Sequence, residues 1–314
     1  MSKIVILDSK TLGAVSNLNK ISKYGRVISY ETTRPEDATS NIGDADIVIT
    51  NKVLISKEVM KNCPNLKLIC ISATGMNNVD LEAANELGIT VTNAVGYSSH
   101  SVAQHTFASI FQLNHKIAYY DEYVKSGNYV SSDIFTHYGP PFSELNNKMF
   151  GIIGLGNIGK TVANIASAFG AKINYYSTSG KNKDNVYQQV SLDQLLMNSD
   201  IISIHSPLNE KTKNLISTAQ FSMMKKHAII VNVGRGGIID ESALASAIDN
   251  EEIHGACIDV FESEPIRKDN PLLDVKFPER LILTPHNAWA SVESRTKLID
   301  IVCENIEAYI NSRN

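Results

Sequence analysis

"MFGIIGLGNIGKTVANIASAFG", residues 149 to 170, runs without a break from an apolar stretch through a glycine-rich turn into an alanine-rich segment of helical period. Strand, tight loop and helix in that order form the opening unit of a parallel α/β sheet. Gly154, Gly156 and Gly159 stand in G-x-G-x-x-G spacing, with Leu155, Asn157 and Ile158 between them. Each glycine has a mechanical reason: the first permits the tight turn, the second lets a pyrophosphate approach the backbone, and the third lets helix and strand pack closely. The helix N-terminus then offers unpaired N–H groups and partial positive charge to phosphates. The stretch reads as a dinucleotide-binding loop.

Outward from that loop the same alternation continues. Apolar strand-like runs follow at 172–177, 200–207, 227–234, 255–261 and 280–285, and five more precede it at 3–7, 26–31, 45–50, 66–73 and 88–94. Between the early runs lie short helical segments such as 80–88, where Asp80 opens a helix and Gly88 ends it. Residues 98–127 are expected to form one long amphipathic helix, with Val102, Thr106, Ile110 and Leu113 on its apolar face. Residues 128–148 carry two prolines and read as irregular structure. The last segment, from 291, places Val292, Leu298, Ile299, Val302, Ile306 and Tyr309 on a helical stripe that could return to the first domain. The expected fold is α/β with two doubly wound parallel-sheet domains, one of residues 1–98 and 288–314, the other of residues 99–287.

Bulk composition narrows the partners. A chain of 314 residues with 43% hydrophobic and 20% charged residues is ordinary for a soluble globular protein. A formal net charge of −4, with scattered lysines, gives no basic stripe for nucleic acid. The apolar run at the N-terminus, five residues long, is too short for a membrane span or signal core, so a cytoplasmic protein with no membrane partner is expected. Cys63, Cys70, Cys257 and Cys303 lie far apart and read as reduced core thiols, and no metal-ligand spacing is present.

An NAD site usually has an acid about 20 residues beyond the glycines, on the ribose hydroxyls. Here Ser177, Thr178 and Ser179 occupy that place, with Lys181 and Lys183 behind. Losing the carboxylate removes the repulsion against a 2′-phosphate, which leans the reading from NAD toward NADP. A neutral loop that still accepts NAD stays open.

Three further groups end apolar strands: Arg235 in "IIVNVGRGGIID", the acids Asp259, Glu262 and Glu264 in "ACIDVFESEP", and His286 in "LTPHNAW". In an open α/β sheet the ligand crevice lies outside those ends. An arginine fork suits a carboxylate. An imidazole beside a carboxylate such as Glu264 favours imidazolium, an acid able to protonate a carbonyl oxygen as hydride arrives at its carbon. Each residue taken alone could be an ordinary surface group.

Together these residues resemble the D-isomer-specific 2-hydroxyacid dehydrogenase family. "GLGNIG", "SIHSPLNEKTKNLI", "VNVGRGGIIDESAL", "GACIDVFESEP" and "LTPHNAWAS" stand in the family's order and spacing over nearly the whole chain. The resemblance implies a Rossmann cofactor domain inserted in a flavodoxin-like substrate domain, an NAD(P)-dependent oxidoreductase of the CH–OH group, and a homodimer formed through the cofactor domain. It implies Arg235, Glu264 and His286 as catalytic residues. His205, Pro207, Val233, Gly234 and Asp259 are implied to line the cofactor site, Asp259 at the nicotinamide carboxamide. Backbone N–H groups near Thr74, Gly75 and Met76 are implied to hold the substrate carboxylate together with Arg235. "ATGMNNVD" with "HNAWAS" looks most like glycerate dehydrogenases, also called hydroxypyruvate reductases, so the expected substrate is a small 2-oxo or 2-hydroxy acid: hydroxypyruvate/D-glycerate or glyoxylate/glycolate. The chain departs from many members at Gln104, where glutamate is common, and at Ser177 and Thr178. The lack of a long C-terminal extension makes 3-phosphoglycerate a weaker alternative. Another is a dinucleotide-sensing corepressor on the same fold. Formate oxidation is disfavoured because formate dehydrogenases pair this histidine with glutamine.

Overall fold

The computed structural model describes residues 2–181 and 183–313. It divides into two compact units, Met1–Ser98 with Ala290–Asn314, and Ser99–Trp289. Among the described residues no helix is long and apolar enough to cross a membrane.

The first unit is built on five parallel strands, β1 (Ser2–Ile6), β2 (Gly25–Ser29), β3 (Ile47–Thr50), β4 (Leu68–Ile71) and β5 (Thr90–Asn93), in the order β2-β1-β3-β4-β5. That is the flavodoxin-like arrangement. The inner strands β3 and β4 are buried at every position, as expected of a sheet covered on both faces, so "IVIT" and "LICI" read as continuous apolar runs without alternation. Short helices α1 (Ala38–Ile42), α2 (Lys57–Lys61) and α3 (Leu81–Glu86) connect the strands. Ser56 and Asp80 cap the last two by accepting from the N–H of Val59 and Ala83. The C-terminal helix, Val292–Asn311, packs on β4 through a stripe of Leu298, Ile299, Val302 and Ile306. Val292, expected on that stripe, is exposed.

The second unit opens on two helices where the sequence predicts one. α4 (Ser99–His115) stops at Lys116, which takes a left-handed backbone (φ 52), and α5 (Ile117–Lys125) starts afresh. α4 buries Val102, Thr106, Ile110 and Leu113, whereas α5 buries no residue, so packing no longer dictates its direction. Seven parallel strands follow: β6 (Met149–Ile153), β7 (Lys172–Tyr176), β8 (Gln188–Gln189), β9 (Ile201–Ile204), β10 (Ile229–Asn232), β11 (Gly255–Ile258) and β12 (Leu281–Leu283). Their order is β12-β11-β10-β9-β6-β7-β8. The order reverses between β6 and β9, the switch point at which doubly wound sheets bind ligands. Helices α6 (Asn157–Ala168), α7 (Leu192–Asn198), α8 (Thr218–Met223) and α9 (Glu241–Asp249) complete the layers.

Alternation along β10 divides the core. Ile229 and Val231 face a cluster with Phe107, Ile110, Phe150 and Val162, under α4 and α6, while Ile230 joins Leu195, Ile202, Phe221 and Leu244 on the opposite face. Each such side chain, fully buried, stabilises the fold by about 1.5–3 kcal/mol before conformational entropy is counted.

Candidate active site

β10, β11 and β12 are neighbours in register, with Asn232 opposite Ile258 and Ile258 opposite Leu283. The segments leaving their carboxyl ends therefore emerge at one edge. Beyond β10, the buried Asn232 side chain folds the turn: its Oδ1 accepts from the N–H of Gly234 (3.1 Å) and its Nδ2 donates to the carbonyl of Arg235 (2.9 Å). A Cβ on Gly236 would lie 1.8 Å from the carbonyl oxygen of Phe261, so the turn carrying Arg235 can lie against the segment beyond β11 only as glycine. The Arg235 guanidinium, half-buried, donates from Nη1 to the carbonyl of Gly234 (2.8 Å).

Beyond β11, Glu264 accepts from the N–H of Phe261 on Oε1 (3.1 Å) and meets Nδ1 of His286 on Oε2 (2.7 Å). The side chains of His286 and Glu264 are 22% and 30% exposed, reachable by a small ligand yet partly shielded from water, which strengthens the contact. With Nδ1 held by a carboxylate, the ring presents Nε2 as a group chemically able to give or take a proton. The sequence places Arg235, Glu264 and His286 at strand ends, and the structure brings the last two into direct contact and sets the arginine turn on the adjacent strand.

Asp259 braces the loop that carries His286. It is 2% exposed, and both of its oxygens are engaged by the loop beyond β12. Oδ1 accepts from Thr284 Oγ1 (2.6 Å) and the N–H of Asn287 (2.9 Å), and Oδ2 accepts from the N–H of Ala288 (3.0 Å). Its main-chain carbonyl accepts from the N–H of His286 (2.8 Å), whose backbone is left-handed (φ 51). Two α4 residues absent from the sequence expectation join this loop. Ser101 Oγ donates to the carbonyl of Ala288 (2.7 Å), and His105 Nε2 lies 3.1 Å from Thr284 Oγ1. The available signal was a pair of polar residues four apart, Ser101 and His105, beside the apolar face of α4.

The glycine loop is shaped as its sequence predicts. Gly154 has φ 92, and a Cβ there would come within 3.0 Å of the His205–Ser206 backbone; one on Gly159 would lie 2.2 Å from the carbonyl oxygen of Gly154. Around Gly156, by contrast, a Cβ would meet nothing within 4 Å. α6 begins there, with no side chain capping its first N–H groups. Three buried polar atoms at the ends of β7 and β9 have no hydrogen-bond partner among the described residues: Ser177 Oγ, His205 Nδ1 and Ser206 Oγ. Burial holds the His205 imidazole neutral, down to about 3, with Nε2 2.8 Å from Ser203 Oγ. Open space over a helix N-terminus beside orphaned donors and acceptors fits a dinucleotide. Leu155 and Val233 are buried, Ile158, Thr178 and Gly234 are half-buried, and Pro207 is exposed, its carbonyl accepting from Thr212 Oγ1. The acid closest in sequence, Asp184, is paired with Lys160 (3.0 Å) and accepts from the N–H groups of Val186 and Tyr187; these contacts hold its carboxyl below the usual range.

In the first unit, Thr74, Gly75 and Met76 follow β4. Thr74 Oγ1 donates to the carbonyl of Ala94 (2.9 Å), and Asn93 Nδ2 donates to the carbonyl of Thr74 (2.7 Å), bracing the turn. Met76 packs on that unit's core. Among the described residues no group of three or more His, Cys, Asp or Glu could hold a metal ion.

Residues 107–288 match the family model described as D-isomer specific 2-hydroxyacid dehydrogenase, NAD binding domain. The chain is 37% identical to the glycerate dehydrogenase of Methylorubrum extorquens over 98% of this chain and 96% of that protein. It is 36% identical to the hydroxypyruvate reductase of Blautia hydrogenotrophica, covering 98% and 97%. Among solved structures it superposes on an acyclic imino acid reductase, Bsp5, in complex with NADPH and D-Arg, with a TM-score of 0.87 and 35% identity over 99% of this chain and 97% of that one. A paired imidazole and carboxylate, an arginine turn beside them and a dinucleotide loop on a doubly wound sheet agree with these matches, and the chain belongs to the D-isomer specific 2-hydroxyacid dehydrogenase family, NAD(P)-dependent oxidoreductases of 2-hydroxy acids.

Proposed function

We propose that this chain interconverts hydroxypyruvate and D-glycerate, or glyoxylate and glycolate, with His286 as the proton donor to the carbonyl oxygen. The observation that carries the reading is the 2.7 Å contact between His286 Nδ1 and Glu264 Oε2. Glu264 fixes the ring through Nδ1, so that Nε2 delivers its proton in reduction and recovers it in oxidation. Arg235 binds the substrate carboxylate through its fork and polarises the carbonyl. The N–H groups of the Thr74–Met76 turn, which donate to no described residue, are the other proposed carboxylate donors. On this reading the first unit is the substrate domain and the second the cofactor domain.

A nicotinamide dinucleotide, when bound, supplies or takes up the hydride. Gly154 to Gly159 would hold its pyrophosphate, with Ser177, Thr178, His205, Pro207, Val233 and Gly234 around it. NADP is the favoured form, because Asp184 is engaged by Lys160 and no other acid stands beside Ser177 and Thr178 in sequence. The NADPH complex of the imino acid reductase agrees with that preference. We also propose a cytoplasmic homodimer formed through the second unit. The four cysteines of the chain are buried and free of disulfides, and in the second unit Tyr129, Val130, Phe135, Tyr138 and Phe142 expose an apolar surface beyond α5. The relatives are named as reductases and dehydrogenases, which favours catalysis over a corepressor role.

Initial rates with NADH and NADPH against hydroxypyruvate, glyoxylate, pyruvate and 3-phosphohydroxypyruvate test the reading. The expected result is fastest turnover with hydroxypyruvate or glyoxylate and NADPH. Preference for the phosphorylated acid would move the assignment within the family, and no oxidation with any of the four would overturn it.

A further inference from the structure

We propose that Thr284, clamped between His105 and Asp259, is a positioning residue for His286, and that α4 thereby sets the placement of the proton donor; the inference rests on the catalytic reading of His286 given above. A threonine hydroxyl has one proton to donate. At 2.6 Å from Asp259 Oδ1 that proton goes to the carboxylate, so the oxygen's lone pair faces His105 Nε2 at 3.1 Å. His105 must then carry its proton on Nε2, and the chain of donation runs His105 to Thr284 to Asp259. The ring of His105 is itself 3.8 Å from Asp259 Oδ1, too long for a direct hydrogen bond, which leaves the hydroxyl as the link.

Asp259 in turn gathers three consecutive main-chain donors: the N–H of His286 on its carbonyl, that of Asn287 on Oδ1 and that of Ala288 on Oδ2. Those bonds hold His286 in a left-handed backbone (φ 51) that a non-glycine residue rarely adopts unaided. Ser101, one turn before His105 on α4, fixes the far end of the same loop through the carbonyl of Ala288. α4 gives a firm base, since Val102, Thr106 and Ile110 on the same helix are buried. Neither His105 nor Thr284 belongs to the proton-transfer pair. They act by keeping the His286 ring where Glu264 and the substrate can both reach it, and small displacements of a reacting group are costly in rate.

The test compares Thr284→Val, which keeps the shape and loses the hydroxyl, with Thr284→Ser, which keeps the hydroxyl. Steady-state turnover of hydroxypyruvate and fluorescence titration with NADPH are measured on the full chain, with His286→Gln alongside. Thr284→Val should lower kcat by about 10- to 100-fold while KM and the cofactor Kd change little, and Thr284→Ser should recover most of the loss. A kcat near wild type in Thr284→Val, equal impairment in Thr284→Ser, or a loss matched by lost NADPH binding would overturn the inference. Should Thr284→Val fail to fold, His105→Phe and His105→Gln read the same link, with glutamine the rescuing donor. Retained turnover in His286→Gln would overturn the catalytic reading itself, and the positioning role with it. A dead His286→Gln beside an undiminished Thr284→Val would sink the positioning role alone.

Discussion

Beyond β10, β11 and β12 the polar groups answer one another: Glu264 with His286, Asp259 with Thr284 and two amides, Asn232 with its own turn. Beyond β6, β7 and β9, on the same edge of the same sheet, they do not. Among the described residues, Ser177 Oγ, His205 Nδ1 and Ser206 Oγ are buried without partners, no side chain caps the start of α6, and Gly156 borders open space. An unpaired buried polar group costs stability, and native chains tolerate few of them without reason. On the function proposed above, the first half is preorganised for proton transfer, whereas the second is completed by a dinucleotide.

Breaking the preorganised half should have the larger effects. Arg235→Lys exchanges a planar fork for a point charge, and KM for the 2-oxo acid should rise roughly tenfold or more in steady-state assays. An unchanged KM would remove Arg235 from the carboxylate. On the open half, one substitution at two glycines separates ligand from fold. Gly156→Ala, where the new methyl meets nothing within 4 Å, should leave the thermal midpoint near wild type but weaken cofactor binding about tenfold. Gly159→Ala, whose Cβ would sit 2.2 Å from the Gly154 carbonyl oxygen, should destabilise by about 1–3 kcal/mol in denaturant unfolding. The reverse pattern would show that the room above Gly156 is not for a cofactor.

The smallest effect concerns His205. Burial depresses its imidazole from the ordinary 6.5 to about 3. Below pH 6.5 the unfolded chain binds a proton that the folded chain refuses, so the stability present above that pH is lost as pH falls toward 3. His205→Gln cannot bind that proton, and its thermal midpoint should fall less steeply than that of wild type between pH 7 and pH 5, both values within reach of ordinary buffers. Parallel pH profiles would mean that His205 is not the buried group argued here.

The same contrast bears on what the sequence could reveal. Buried parallel strands announce themselves as unbroken apolar runs, so "IIVN" and "GACI" were legible, and with them the edge at which Arg235, Glu264 and His286 emerge. β8 is two exposed glutamines at the sheet's margin, where nothing apolar marks a strand. The break at Lys116 carries no glycine or proline, because only the end of burial at Leu113, a tertiary fact, releases α5. Asp259 is legible as an acid at a strand end, but the partners of its carboxylate depend on the path of a loop some 25 residues later. The roles of His105 and Ser101 are hidden in the sequence for the same reason: their targets are set by the packing of α4, not by neighbours in sequence.

The role of His286 is tested most directly by following the absorbance of reduced nicotinamide after hydroxypyruvate is added to the wild-type chain and to His286→Gln, with cofactor affinity measured for both. Wild type should oxidise the reduced nicotinamide steadily, and the variant should be slower by about 10²- to 10⁴-fold with cofactor affinity preserved. Turnover by His286→Gln close to that of wild type would contradict that role.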